Sequence, residues 1–149
     1  MLISADQLLC HAVGDYLLQS DWMALNKTKR WAPAVIHAMT YAIPFLLLRP
    51  SLLALAVIAG THAIIDRLRL ARYIVWLKNW IAPWIGQVVD AEDGHSIRRH
   101  VWIAPNPPWS ECSGNGYPID RPAWLTTWLL IIADNIIHVI INGIALRYL

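Results

Sequence analysis

The sequence predicts an all-α fold: a four-helix transmembrane bundle with an interfacial helix and a cytoplasmic loop between helices three and four. Three observations predict it. The 149 residues are 57% hydrophobic and 15% charged, against roughly 45–50% apolar and 25% charged in soluble domains. Four apolar stretches approach the ~17–25 residues that cross a bilayer. Inside three of those stretches a His/Asp pair recurs at spacing i, i+4. The length allows one domain with one core. The same counts exclude intrinsic disorder, collagen-like repeats and a disulfide scaffold, and Cys10 and Cys112 read as thiols. A net charge of +2 excludes a nucleic-acid binder resting on charge, so no nucleic acid is expected as a partner.

The first helix is expected over residues 2–25. Asp6, His11, Asp15, Gln19 and Asp21 interrupt it, which a bundle accommodates by turning them inward. The N-terminus lacks a basic n-region and a small-residue cleavage site, so it is expected to be retained. Helices two, residues 31–48, and three, residues 51–68, are separated by Arg49-Pro50. Such a pair ends one helix and starts another, predicting a tight hairpin. Residues 73–84 place Trp76, Trp80 and Trp84 on one helical stripe, which suits a helix lying in the membrane interface. Residues 87–122 are punctuated by Gly94, Asn106-Pro107-Pro108 and Ser113-Gly114-Asn115-Gly116, the signature of a loop. His95 and His100, spaced i, i+5 there, read as solvated loop residues. The fourth helix spans residues 123–146, interrupted by Asp134, Asn135, His138 and Asn142.

Lys and Arg set the orientation. Lys27, Lys29 and Arg30 fall between helices one and two, and Arg67, Arg69, Arg72, Lys78, Arg98, Arg99 and Arg121 between three and four, leaving Arg49 and Arg147 on the other side. Loops one and three are therefore expected in the cytoplasm and both termini outside. Tryptophans such as Trp22, Trp31, Trp124 and Trp128 gather at the same interface.

The ionisable groups within the apolar stretches are His11 and Asp15, His37, His62 and Asp66, and Asp134 and His138. An i, i+4 spacing on an α-helix sends both side chains of a pair to one face. Counted from the cytoplasmic helix ends, Asp15, His37 and His62 fall at one level, His11, Asp134 and His138 somewhat deeper and Asp66 shallower. A buried carboxylate needs a partner or a metal. No Lys or Arg falls at the depth of Asp15 or Asp134 in this topology, so a divalent metal is the expected neutralising charge. Four His and three Asp suit zinc, with manganese or iron as alternatives, as one or two ions. Asp15, Asp66 and Asp134 are the candidate catalytic carboxylates. Any single member could instead be an interhelical hydrogen bond. A through-path for ions is disfavoured, because residues 43–48 and 140–146 are almost wholly apolar.

The run His11-Ala-Val-Gly14-Asp15-Tyr-Leu-Leu-Gln19 with Lys27, then His37, His62-Ala-Ile-Ile-Asp66-Arg67-Leu-Arg69 and Asp134-Asn-Ile-Ile-His138, resembles domain-of-unknown-function family 3307. Those are small integral membrane proteins of bacteria and phages. The resemblance covers nearly the whole chain and implies a multi-pass protein of the bacterial inner membrane. A looser similarity, to predicted membrane-bound metal-dependent hydrolases, implies a hydrolytic metal centre. Gln19, Lys27, Arg67 and Arg69 would ring its cytoplasmic mouth and hold the anionic part of a phosphate-containing substrate; positive-inside topology explains the same cations without a substrate. The expected function is a membrane-embedded metal-dependent hydrolase of phosphate esters, in contact with membrane lipids at the cytoplasmic leaflet. The alternative is a non-enzymatic membrane interaction or phage exclusion protein whose His/Asp cluster is structural.

Overall fold

The computed structural model describes residues 2–81, 85–87, 101–103 and 108–149. It is built from helices, with one short β-ribbon, and divides into two compact units: residues 1–71 with 128–149, and residues 72–127.

The first unit opens with α1 (Ala5–Ala12), whose N-terminus is capped by the Ser4 hydroxyl accepting from the Gln7 N–H at 3.2 Å. A π-helical turn follows over Val13–Leu17, closed by the i to i+5 bond from Leu18 N–H to Val13 C=O at 3.0 Å. The chain then breaks, and Ser20 caps a new short helix, α2 (Asp21–Asn26). The single helix expected over residues 2–25 is thus three pieces. Ser20-Asp21 is a helix-start signal, and it outweighs the apolar run on either side.

α3 (Trp31–Ala42) continues as a 3-10 turn over Ile43–Leu48, with Pro44 near the start of that turn. Arg49 closes the turn in the left-handed region (φ 53°), and Ser51 caps α4 (Leu52–Leu68) by accepting from the Ala54 N–H at 3.0 Å. α3 and α4 pack side by side as the expected hairpin. Arg69, also left-handed, ends α4. α5 (Ala71–Ile81) begins at the boundary of the second unit, and α6 (Ala123–Tyr148) is one unbroken helix of 26 residues.

Burial on α3 falls on Ala34, His37, Ala38, Tyr41 and Ala42, and on α4 on Ala54, Ile58, His62, Ile65 and Asp66, the 3.6-residue period of one helix face. One end of this interior is apolar, built from Cys10, Tyr41, Phe45, Ala54, Ile58 and Ala145. The other is polar, holding Asp15, His37, His62, Asp66 and His138. The outward faces are apolar instead: Val35, Ile36, Met39 and Leu47 on the α3 segment, and Ile132, Ile136, Ile140 and Ile144 on α6, are exposed. Two helical segments, Trp31–Leu48 and Ala123–Tyr148, are long and apolar enough to cross a membrane. Of the four spans expected, α4 at 17 residues reaches about 25 Å against ~30 Å of hydrocarbon, and the first is broken by the π-turn and Ser20.

In the second unit a two-stranded antiparallel ribbon pairs β1 (Ile85–Gln87) with β2 (Val101–Ile103), and a 3-10 turn covers Trp109–Glu111. The expected loop over residues 87–122 therefore contains strand, because pairing across a long connection leaves no local sequence signal. The Trp109 ring stacks on Tyr73 at 5.0 Å and meets Trp76 edge-on at 6.1 Å, so the Trp76 and Trp80 stripe of α5 partly packs within the unit. Gly116 (φ 83°) closes a turn where a Cβ would strike the Arg72 carbonyl. Cys112, like Cys10, is a free thiol. Trp84, His95 and His100 lie outside the described residues.

At Gly14 the π-turn lies close against Tyr41 of α3. A Cβ on it would lie 2.6 Å from the Tyr41 carbonyl oxygen and 2.8 Å from Tyr41 Cδ2, whereas one on Gly60 in α4 would meet nothing within 4 Å. Gly14→Ala is expected to cost about 1–3 kcal/mol by overpacking, and Gly60→Ala to be neutral or stabilising by up to ~1 kcal/mol. Thermal unfolding of both variants in detergent checks the difference.

Candidate metal centre

Four elements deliver the polar interior. The π-turn supplies Asp15, α3 supplies His37, α4 supplies His62 and Asp66, and α6 supplies His138. His37 Nε2 stands 2.9 Å from His62 Nε2, 3.2 Å from Asp15 Oδ1 and 3.4 Å from Asp66 Oδ2. His62 Nε2 stands 3.8 Å from Asp15 Oδ1 and 3.2 Å from Asp66 Oδ2. On the far side His138 Nε2 is 3.6 Å from both Asp66 Oδ1 and Asp134 Oδ2.

These groups form two buried sets that could hold a metal ion: Asp15, His37 and His62, and His62, Asp66 and His138. Each is two imidazoles and one carboxylate, the ligand chemistry of catalytic zinc and of non-haem iron, which leaves a position open. Zinc bonds of ~2.0–2.1 Å put tetrahedral ligand atoms about 3.3 Å apart, and the first set's separations of 2.9, 3.2 and 3.8 Å bracket that value. His138 Nε2 is buried without a hydrogen bond among the described residues and lies 3.6 Å from Asp66 Oδ1 of the second set. The donor set therefore fits a divalent ion. The Nδ1 atoms of His37 and His62 make no hydrogen bond among the described residues, so packing orients the rings: Tyr41 stacks on His62 at 3.8 Å and 17°.

Lys27 is the largest departure from expectation. Its Nζ lies 2.9 Å from Asp66 Oδ2, 3.7 Å from Asp15 Oδ1 and 3.3 Å from His37 Nε2, so it sits inside the cluster rather than at its rim. In one straight helix Lys27 would be about 18 Å from Asp15, beyond the reach of its side chain. The break before Ser20 turns α2 back and brings the ammonium in. The expectation that no basic side chain reaches Asp15 is corrected accordingly.

His11 stands outside both sets. Its Nε2 is 2.6 Å from Asn135 Oδ1 and its Nδ1 is 2.7 Å from the Tyr41 hydroxyl. Asn135 Oδ1 only accepts, so Nε2 carries the hydrogen and Nδ1 accepts from Tyr41, leaving neither nitrogen for a metal. The reason lies in the π-turn. Its wider i to i+5 winding separates His11 from Asp15, which an α-helix would hold on one face. Asp134 lies at the edge, its side chain 26% exposed. Gln19 Oε1 is buried without a hydrogen bond among the described residues. Arg67 donates to the Thr28 carbonyl at 3.1 Å and covers the Trp31 ring, which ties it to the α2–α3 connection, and Arg69 is exposed at the end of α4.

Tyr41 and Asn142 complete the interior. The Asn142 amide donates to the Tyr41 hydroxyl at 2.5 Å, linking α6 through Tyr41 to His11. The sequence carried a signal for both, since each lies four residues beyond a site histidine on the same helix face, Tyr41 after His37 and Asn142 after His138.

The chain matches, over residues 3–89, the family described as protein of unknown function (DUF3307). It belongs to that family. The matched span contains Asp15, Lys27, His37, His62 and Asp66, and α6 with Asp134 and His138 lies beyond it. No curated protein and no solved structure matches the chain.

Tyr41→Phe keeps the stacked ring but removes the hydroxyl that His11 and Asn142 share. Leaving those buried partners unsatisfied is expected to cost about 1–3 kcal/mol, read as a lowered unfolding midpoint, whereas replacement of exposed Tyr148 by Phe leaves the midpoint unchanged.

Proposed function

We propose that this chain is a membrane-embedded, metal-dependent hydrolase of phosphate esters, working at the cytoplasmic leaflet of the bacterial inner membrane with both termini outside. The observation that carries it is the pair of buried two-imidazole, one-carboxylate sets meeting at His62. His62 Nε2 faces both sets and can bind one ion at a time, so one ion per chain is the expected stoichiometry, and the nitrogen-rich donors favour zinc.

A bound divalent ion would polarise a phosphoryl oxygen and make its water a nucleophile near neutral pH. The chain supplies the rest. Lys27 has the charge and the position to hold a phosphoryl oxygen beside Asp66. Asp134, at the exposed edge and 3.6 Å from His138 Nε2, is placed to accept a proton and pass it outward. Arg67, fastened to Thr28 and Trp31, positions the turn that carries Lys27, and Gln19 and Arg69 keep the substrate-binding role expected from the sequence.

The apolar outer faces of α3 and α6 support the membrane setting, because a soluble protein would carry polar residues there. One observation favours the second reading, a non-enzymatic interaction or phage exclusion protein. Lys27 lies within 4 Å of both Asp15 and Asp66 and offers them a counter-charge with no ion needed.

Metal analysis of purified protein separates the two. The hydrolase is expected to carry about one zinc per chain, lost in His62→Ala and kept in His11→Ala. It is also expected to release product from phospholipids or soluble phosphodiesters. A metal-free wild type, or full occupancy with no turnover of any phosphate ester, rejects it. Lys27→Met, which removes the ammonium that two buried carboxylates share, is expected to destabilise the metal-free protein by about 3–5 kcal/mol, and zinc to restore its midpoint. No rescue by zinc favours the structural cluster. For the topology, C-terminal fusions to a reporter active only outside the cytoplasm are expected to be active, and the reverse pattern contradicts it.

A further inference from the structure

His62 belongs to both candidate sets, and the two sets differ in what already faces their ligand atoms. In the first, Asp15 Oδ1, His37 Nε2 and His62 Nε2 are joined to one another by hydrogen bonds of 3.2 and 2.9 Å. The Lys27 ammonium lies against the same atoms, 3.3 Å from His37 Nε2 and 3.7 Å from Asp15 Oδ1. An ion bound there at ~2.0–2.1 Å from His37 Nε2 would stand no more than about 5.4 Å from that ammonium, and like charges at such range repel strongly in a dry interior. The second set is different. His138, 1% exposed, presents an Nε2 with no hydrogen bond among the described residues. Two carboxylates face that nitrogen at 3.6 Å, Asp66 through Oδ1 and Asp134 through Oδ2. Asp66 Oδ2, the other oxygen of the shared carboxylate, meets Lys27 at 2.9 Å.

We infer that the metal ion sits in the second set, on His62, Asp66 and His138, and that Lys27 fills the place of a second ion beside Asp15 and His37. The inference rests on the metal-dependent reading above and adds which residues hold the ion. Charge separates the two sets. The ammonium already supplies a positive charge to Asp15, whereas no Lys or Arg among the described residues pairs with Asp134 or with the Oδ1 side of Asp66. Lone pairs separate them the same way. An ammonium has hydrogens and no lone pair, so at 3.3 Å it either takes the lone pair of His37 Nε2 or faces a hydrogen that Nε2 shares with Asp15 and His62. In both cases His37 offers nothing to an ion, while His138 Nε2 has no such competitor among the described residues. Asp66 then lies between two positive charges, as a carboxylate shared by two metal ions would. One bound ion and one lysine thus make a two-cation clamp suited to a phosphoryl group.

The test places a thiolate at one position at a time in the full chain in detergent and loads each variant with cobalt(II), which reports a bound thiolate by a sulfur-to-metal charge-transfer band. The band is expected in His138→Cys and in His62→Cys. It is expected to be absent from His37→Cys and from wild type, whose Cys10 and Cys112 belong to neither set. A band in His37→Cys places the ion in the first set and overturns the inference, and that variant decides alone should His138→Cys fail to fold. Equilibrium dialysis against zinc reads the role of Lys27. With the ammonium gone in Lys27→Met, Asp15, His37 and Asp66 are expected to take a second ion, raising the count from about one zinc per chain to about two, and an unchanged count overturns the role given to Lys27. Neither readout needs turnover. The band in His138→Cys with no hydrolysis of any phosphate ester by wild type leaves this inference standing and removes the hydrolase; hydrolysis by wild type with the band in His37→Cys alone does the reverse. A wild type that takes up neither metal overturns both.

Discussion

Two carboxylates, Asp15 and Asp66, are buried in one small space and share the same imidazoles, and the rest of the first unit follows from the need to neutralise them. Burial of an ionised carboxylate costs several kcal/mol unless a partner compensates it. His37 and His62 face both oxygens from the α3–α4 hairpin, and Lys27 enters from α2. Each irregularity in the backbone serves that arrangement. The π-turn aims Asp15 inward, Gly14 lets the turn lie against Tyr41, and the break before Ser20 returns α2 so that its C-terminal lysine reaches the cluster.

The polar interior is also what makes the apolar exterior possible. In water a bundle gains stability by burying its aliphatic side chains. Here Met39, Leu47, Ile132 and Ile136 face outward while six His and Asp side chains are buried among the described residues. A bilayer rewards that inversion, because polar groups excluded from lipid must satisfy one another. The chain of hydrogen bonds from Asn142 through Tyr41 and His11 to Asn135 and Tyr16 fastens α1, α3 and α6 together on that principle. Through Tyr41, which stacks on His62, it also borders the candidate metal centre.

Regular helix was legible in the sequence, and irregular helix was not. His62 and Asp66 on α4 do meet, and Asp134 with His138 on α6 do approach, because both helices keep the α period on which the spacing argument depends. Asp15, His37 and His62 do meet, but the depth argument counted Asp15 from a helix end that the break before Ser20 removes, and it set Asp66 and His138 at other levels although both reach the same cluster. His11 stays outside both sets because Asp15 sits in a π-turn, which no residue pattern announces. Lys27 failed because a helix drawn straight through Ser20 carries it away from the site. Tyr41 and Asn142 were visible as same-face neighbours of site histidines but carry no charge to draw attention. The ribbon of residues 85–87 with 101–103 depends on pairing across a long connection, which local pattern does not encode.

The central claim is that the buried His and Asp side chains meeting at His62 hold one divalent ion, with Lys27 beside them as counter-charge to Asp15 and Asp66. X-ray absorption at the zinc edge of the zinc-loaded protein tests it most directly. The result expected is a four-coordinate shell of two imidazole nitrogens and oxygen donors, with bonds of about 2.0–2.2 Å, and no bound zinc in His62→Ala. A shell containing sulfur, or oxygen alone with no imidazole and no response to that substitution, would contradict it.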